Sequence, residues 1–191
     1  MGGNNTKESS GIEMGDKSSM NTNGANSENC QLIHSLFEGH WIEIARYKNN
    51  SESGCKMVKI SYKWDTENEV MYVKNTCIYQ DGNKKTMKGK GVPDGKHSCR
   101  LTVTYQTGTV VQYWILWTDY DKWALIGSPN RNNFWILSRE WYISRDDFKL
   151  ITGYAASLGY GGPLVVNEDC VRGYKAEWEE SETRFDSDIV S

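Results

Sequence analysis

What this chain lacks narrows its class before any motif is read. None of its 191 residues fall in an apolar run that approaches the ~18 residues of a membrane span. Met1 to Asn29 has no apolar core of the kind a secretory signal needs; Ile12, Met14 and Met20 are its only sizeable apolar side chains. Positive charge is not in excess: 22 Lys and Arg against 25 Asp and Glu give a net charge of −3, no footprint for nucleic acid. There is no CxxC pair, and the three histidines, His34, His40 and His97, share no metal-ligand spacing. No metal or cofactor is therefore expected. No Ser-His-Asp order, P-loop or G-x-G-x-x-G stands out. Gly159-Tyr160-Gly161-Gly162 follows a helical pattern instead of opening one, the wrong context for phosphate.

The two ends differ from the body. Residues 1–30 form a polar leader with too little to bury, so disorder is expected there. The leader begins Met-Gly-Gly-Asn-Asn-Thr, which matches the pattern for myristoylation at Gly2. One acyl chain holds a membrane only reversibly unless Cys30 is also acylated. Residues 175–191 form an acidic tail. Removing the −2 of residues 1–29 and the −4 of the tail leaves the body at +3. With no signal, a cytoplasmic or peripheral-membrane location is expected, with export by an unconventional route as the alternative.

From Cys55 onward the pattern has period two. In Val58-Lys59-Ile60-Ser61-Tyr62-Lys63-Trp64, apolar and polar residues alternate without a break, the mark of a half-buried strand. Runs at 69–79, 85–92, 99–106, 110–118, 122–128 and 133–138 follow, and Trp41–Tyr47 precedes. Their joints carry turn residues such as Asp81-Gly82-Asn83, Pro93-Asp94-Gly95 and Thr107-Gly108. Eight short strands with hairpin-length joints predict an all-β meander closed as a sandwich or barrel. The period then becomes helical. Ser144 and Asp147 form a capping box, Phe148, Ile151, Ala155 and Leu158 make one apolar stripe, and Gly159 ends it. Such a helix packs by one face on the outside of the barrel. Leu164-Val165-Val166 reads as a short edge strand.

Three local motifs in this order resemble the lipocalin family. Gly39-His40-Trp41 is similar to its G-x-W at the first strand, Thr118-Asp119-Tyr120 to the turn between the sixth and seventh strands, and Arg139 to the arginine after the eighth. The stretches around Tyr113–Trp117 and Trp135–Arg139 are most similar to plant temperature-induced and bacterial outer-membrane lipocalins, with apolipoprotein D more distant. The resemblance implies an eight-stranded antiparallel up-and-down barrel with one helix outside, covering residues 31–174. It also implies that Trp41 plugs the closed end beneath the Arg139 guanidinium.

Alternation, with the family pattern choosing the face where both are apolar, assigns the barrel lining. It comprises Val58, Ile60, Tyr62, Val73, Asn75, Leu101, Val103, Tyr113, Ile115, Ala124, Ile126 and Trp135. Met87, Tyr105, Trp117 and Leu137 fall on the same face, whereas Trp114, Leu116 and Trp123 lie under the helix. No carboxylate or lysine belongs to this set. A ligand burying ~300 Å² there gains ~7.5 kcal/mol, near micromolar affinity. The expected partner is a fatty acid, lysophospholipid, sterol or similar hydrophobe, held by a non-enzymatic monomer or weak dimer. A fully packed core is the alternative.

The five cysteines leave pairing open by spacing alone. The resemblance to apolipoprotein D-like lipocalins implies a Cys55–Cys170 bridge, against free thiols in a reducing compartment. Cys77, placed inward by alternation, is a candidate nucleophile by resemblance to prostaglandin-D-synthase-type lipocalins, although no base is evident near it and a small wall residue is the plainer reading. Asn49-Asn50-Ser51 is a glycosylation sequon before Cys55.

Overall fold

The computed structural model describes residues 30–167 together with Cys170 and Val171, so Gly2, the leader before Cys30 and the acidic tail lie outside the described residues. A short helix α1 (His34–Phe37) leads into β1 (Gly39–Tyr47), β2 (Met57–Asp65), β3 (Val70–Ile78), β4 (Lys84–Asp94), β5 (His97–Tyr105), β6 (Val110–Thr118), β7 (Trp123–Gly127) and β8 (Phe134–Ser138). Then come α2 (Arg145–Ser157) and a ninth strand, β9 (Leu164–Val166). Each of the eight strands pairs antiparallel with the next, and β1 pairs with both β2 and β8, which closes the barrel. Closure removes the unpaired edges that an open sheet would expose. β2 leaves β1 after Ile42, and β9 pairs with Ala45–Tyr47 further along.

The expected alternation is present in β2: Val58, Ile60 and Tyr62 are buried, with Lys59, Ser61 and Lys63 between them on the outer face. The capping box also forms. Ser144 Oγ accepts from Asp147 N at 3.0 Å and donates to the Asp147 carboxylate at 2.7 Å. Ile151 and Ala155 are the buried side of α2. Gly159 follows with φ +89°, a left-handed conformation that glycine adopts without a Cβ penalty.

The closed end of the barrel is built from the three motif segments. Trp41 is fully buried, its Nε1 donating to Phe37 O at 3.0 Å, and the Arg139 guanidinium lies 3.8 Å from the centre of its ring. That guanidinium donates to three carbonyls: Leu36 O at 2.7 Å, His40 O at 3.0 Å and Tyr120 O at 3.0 Å. One side chain thus joins α1, β1 and the β6–β7 turn. Gly39 sits at φ +95°, where a Cβ would stand 3.2 Å from Arg139 Nη1. The turn is set by Thr118 and Asp119: Thr118 Oγ1 donates to Trp123 O, and Asp119 Oδ1 accepts from Lys122 N and Trp123 N, both at 2.8 Å. Tyr120 then adopts φ +67°, with its carbonyl bonded to Arg139.

Two β-bulges alter the expected facing of side chains. Between Glu43 and Ala45 the register of β1 against β8 shifts by one, so Glu43 pairs with Leu137 but Arg46 pairs with Trp135. Between Ile115 and Trp117 the register of β6 against β7 shifts likewise. Trp117 therefore does not line the barrel as expected; it packs edge-on against Tyr154 of α2, ring centres 5.9 Å apart. An extra residue in one strand turns every later side chain to the other face.

The cysteine pairing also differs from the expectation. The bridges are Cys30–Cys99 and Cys55–Cys77, and Cys170 is buried outside both. The β2–β3 register explains the second: Val58 stands opposite Cys77, and Lys56 N donates to Ile78 O at 2.8 Å, bringing the chain before β2 against the end of β3. The Cα atoms of Cys55 and Cys77 come within 5.4 Å, a normal bridging distance. Cys170 instead lies beside the entrance to α2, its carbonyl accepting from Ile143 N at 3.0 Å.

The closed end yields a stability prediction. Arg139→Ala deletes three charge-assisted hydrogen bonds and the stacking on Trp41, and is expected to lower the unfolding free energy by about 3 kcal/mol. Arg139→Lys, which keeps the charge but not the fork, should restore less than half of that. Urea unfolding of both variants measures the effect, and an unshifted midpoint in Arg139→Ala would show that the end is held by something else.

Candidate ligand-binding cavity

Above the closed end the barrel divides into two zones. Phe37 and Tyr62 pack at 5.0 Å between ring centres, and the Tyr62 hydroxyl is hydrogen-bonded to the Tyr113 hydroxyl across the interior. Tyr113 in turn packs against Trp135 at 5.9 Å. Burial raises the hydroxyl pKa of both tyrosines, so both stay protonated and the pair acts as a neutral floor. Over it lies a cavity of about 100 Å³ that opens towards the ends of the strands.

Of the twelve residues assigned to the lining from sequence, Ile60, Asn75, Tyr113 and Trp135 border this cavity. Val58, Tyr62, Val73, Leu101, Val103, Ile115, Ala124 and Ile126 are buried but do not border it; most of them fill the barrel between it and the closed end. The barrel thus combines an open pocket with a packed core. Met87, Tyr105 and Leu137 complete the apolar wall as expected. At about 100 Å³ the space is smaller than the ~150 Å³ apolar cavity that takes up a benzene ring, so as it stands it suits a short chain or a ring that projects through the mouth. A sterol needs side chains to move.

The other side of the cavity corrects the expectation of a lining without carboxylates. Glu43 and Glu52 both border it, Glu43 from β1 and Glu52 from the loop that follows. The bulge in β1 aims Arg46 inward beside Glu43, three residues away, although a regular strand would place the two on opposite faces. Arg46 Nη1 donates to Glu43 Oε1 at 2.6 Å, and Nη2 donates to Glu52 O at 2.8 Å. Asn49 Nδ2 and Trp135 Nε1 both donate to Glu52 Oε2, the latter at 3.2 Å, while Glu52 N donates to Asn49 Oδ1 at 2.9 Å. Asn49 is half-buried, and the amide nitrogen that a glycan on this sequon would occupy is the one bonded to Glu52.

Glu43 could have been found from sequence, since alternation from Trp41 places it on the inner face. Arg46 could not, because nothing in the residues announces the bulge, and Glu52 stands in a loop without a period. The candidate nucleophile Cys77 is corrected too. Its sulfur is bridged to Cys55, and it does not border the cavity.

Burial pushes the Glu43 carboxyl up to about 8, helped by the nearby Glu52 charge and opposed by Arg46. Tyr105, which accepts from Asn75 Nδ2 at 3.2 Å, is pushed up to about 12, mainly by burial. A raised carboxyl means that the folded protein holds a proton which the unfolded chain releases. The Glu43 contribution to stability is therefore full below the ordinary glutamate range and falls as pH rises towards 8. Urea unfolding compared at about pH 5 and about pH 9 should show this slope in the native sequence and a flatter one in Glu43→Gln, which keeps a neutral side chain throughout. Equal slopes in the two proteins would mean that Glu43 is ionised in the folded state.

Comparison with known proteins agrees with this geometry. A family model described as a lipocalin-like domain matches residues 34–168. Temperature-induced lipocalin-1 of Arabidopsis thaliana is 24% identical over 135 residues, 65% of this chain and 72% of that protein. Apolipoprotein D of Cavia porcellus is 29% identical over 118 residues, 56% of this chain. The match spans 61% of apolipoprotein D, less than two thirds of its length. Among solved structures, lobster apocrustacyanin A1 superposes with a TM-score of 0.56 at 24% identity, over 70% of this chain and 78% of that one. Insecticyanin from the tobacco hornworm Manduca sexta does so with a TM-score of 0.56 at 23% identity, over 72% and 82%. At these identities the structural likenesses carry the fold alone. The family model spans most of the chain, the two curated relatives are both lipocalins or their kin, and the barrel closes through the three motifs: the chain belongs to the lipocalin family.

Proposed function

We propose that this protein binds and carries a small hydrophobic molecule in the upper barrel, without catalysing a reaction on it. The observation that carries the reading is the cavity of about 100 Å³ walled by Ile60, Met87, Tyr113, Trp135 and Leu137, floored by the tyrosine pair and open above. Burial of apolar ligand surface supplies the affinity, at about 0.8 kcal/mol for each methylene. The thiol-enzyme alternative loses support, because a sulfur in a bridge is no nucleophile.

A homologous series of straight-chain alcohols tests this. Affinity measured by calorimetry should rise about fourfold per added methylene and level off once the chain reaches the mouth. An affinity that does not depend on chain length, or no binding at any length, would sink the reading.

The two bridges favour an oxidising compartment, so the reading places the protein outside the reducing cytosol, on the unconventional-export side of the alternatives. Thiol blocking in denaturant without reductant, on protein taken from its source, should leave Cys30, Cys55, Cys77 and Cys99 unlabelled, and peptide mapping should recover the two linked pairs. Labelled Cys55 and Cys77 would return the protein to a reducing compartment.

A further inference from the structure

The cavity has an electrostatic imbalance that a purely apolar ligand leaves unused. Glu43 and Glu52 share one guanidinium, that of Arg46, and both carboxylates border the cavity whereas Arg46 does not. The Oε2 atom of Glu43 is buried with no hydrogen-bond partner, on a side chain only 4% exposed. Asn75 Oδ1, which also borders the cavity, is likewise buried and unbonded. Arg46 Nε, the unbonded donor of the cluster, lies at ion-pair distance from Glu52 Oε2, 3.5 Å away. Buried polar atoms are nearly always satisfied by protein, water or ligand, so unbonded atoms bordering a cavity are places where a ligand can bond. Both orphans that border the cavity are acceptors, and two carboxylates face one shared cation. Their complement is a donor that carries positive charge.

We propose that the ligand is a small apolar amine, bound as the ammonium ion by Glu43 Oε2 and Asn75 Oδ1, with its hydrocarbon part against Tyr113 and Trp135. The proposal rests on the reading of the cavity as a ligand site and adds the headgroup. An alcohol would supply a donor without charge, and a carboxylate would meet the charge of Glu52 without a counter-charge beyond the guanidinium already shared. The two aromatic rings suit an amine further, since their faces attract a nearby cation.

Without an ammonium ion Glu43 keeps a proton, its carboxyl being pushed up to about 8 by burial and by the Glu52 charge. The other charged or titratable groups around it are Arg46 on β1, Glu52 on the loop, and the Tyr105 and Tyr113 hydroxyls on β5 and β6. When an ammonium ion arrives, Glu43 gives its proton to the solvent and the ammonium takes over as counter-charge. Amine binding near neutral pH therefore releases about one proton, and binding of a neutral analogue releases none.

The experiment is calorimetric titration with 2-phenylethylamine, 2-phenylethanol and phenylacetate, in two buffers of different ionisation enthalpy. The amine should bind at least tenfold more tightly than the other two and release about one proton per site. In Glu43→Gln the amine should fall to the level of the alcohol and release no proton, while a native circular-dichroism spectrum shows that the barrel is intact. If that variant does not fold, the proton count and the rank order on the native sequence decide. An alcohol that equals the amine, an acid that exceeds it, amine binding without proton release, or an unaltered amine affinity in Glu43→Gln would each overturn the proposal. So would failure of all three probes. If the straight-chain alcohols still bind, the loss is of the amine headgroup alone; if they fail as well, the ligand cavity itself is lost.

Discussion

Closure of one end by Arg139 over Trp41 is the contact on which the rest of the barrel depends. A tube of eight strands has an interior to fill and two ends to seal, and every apolar group placed inside is of use only if water stays out of at least one end. Trp41 supplies the area, and Arg139 fastens what surrounds it by donating to α1, β1 and the β6–β7 turn at once. The three family motifs are the three parts of this one device. Gly39 keeps the space beside Arg139 Nη1 clear, and the Thr118–Asp119 turn presents the Tyr120 carbonyl. Because the seal is at this end, the lower barrel can pack solidly, and the cavity is confined to the upper part, beyond the Tyr62–Tyr113 pair.

How much of this was legible in the residues follows from which interactions are local. Strand alternation in Val58–Trp64, the turn signals and the Ser144 capping box are all written within a few residues, and they survive into the structure almost unchanged. What was not legible arises where the chain departs from its period. The bulge near Ile44 has no composition of its own, yet it brings Arg46 inside; the bulge near Leu116 sends Trp117 out to α2. Disulfide pairing is of the same kind. It depends on the β2–β3 register, which sets Cys77 beside Cys55, and not on the separation of the cysteines along the chain. Glu43 is a different case. Its inward position could be read from Trp41, but the expectation of an apolar lining for a hydrophobe gave no reason to look for a carboxylate there.

A buried Glu–Arg–Glu cluster is costly to fold around. Taking such ions out of water costs several kcal/mol each, and well-packed apolar side chains of similar volume often serve stability as well or better. Binding an alkyl chain or a ring needs no charge at all. The cluster therefore bears on selectivity, and the placement of its atoms indicates in which direction. The guanidinium does not border the cavity and donates to the backbone of Glu52 and to Oε1 of Glu43, which leaves Glu43 Oε2 and Asn75 Oδ1 as the unbonded oxygens there. Such oxygens give a donor an advantage that apolar area alone cannot supply.

Half of that wall comes from residues 48–56, a loop with no regular structure, and a loop is a poor support for a site that must hold two carboxylates apart. Here it is fastened at several points. Arg46 holds the carbonyl of Glu52, Asn49 and Glu52 bond each other through side chain and backbone, and the indole of Trp135 reaches Glu52 from β8. Glu52 is 8% exposed as a result, an unusual degree of burial for a charged loop residue. The end of the loop is tied by Cys55 to Cys77. The sulfur that looked, from sequence, like a chemical group in the barrel thus acts through position. It gives up its nucleophilicity to anchor the loop from which Glu52 reaches the cavity.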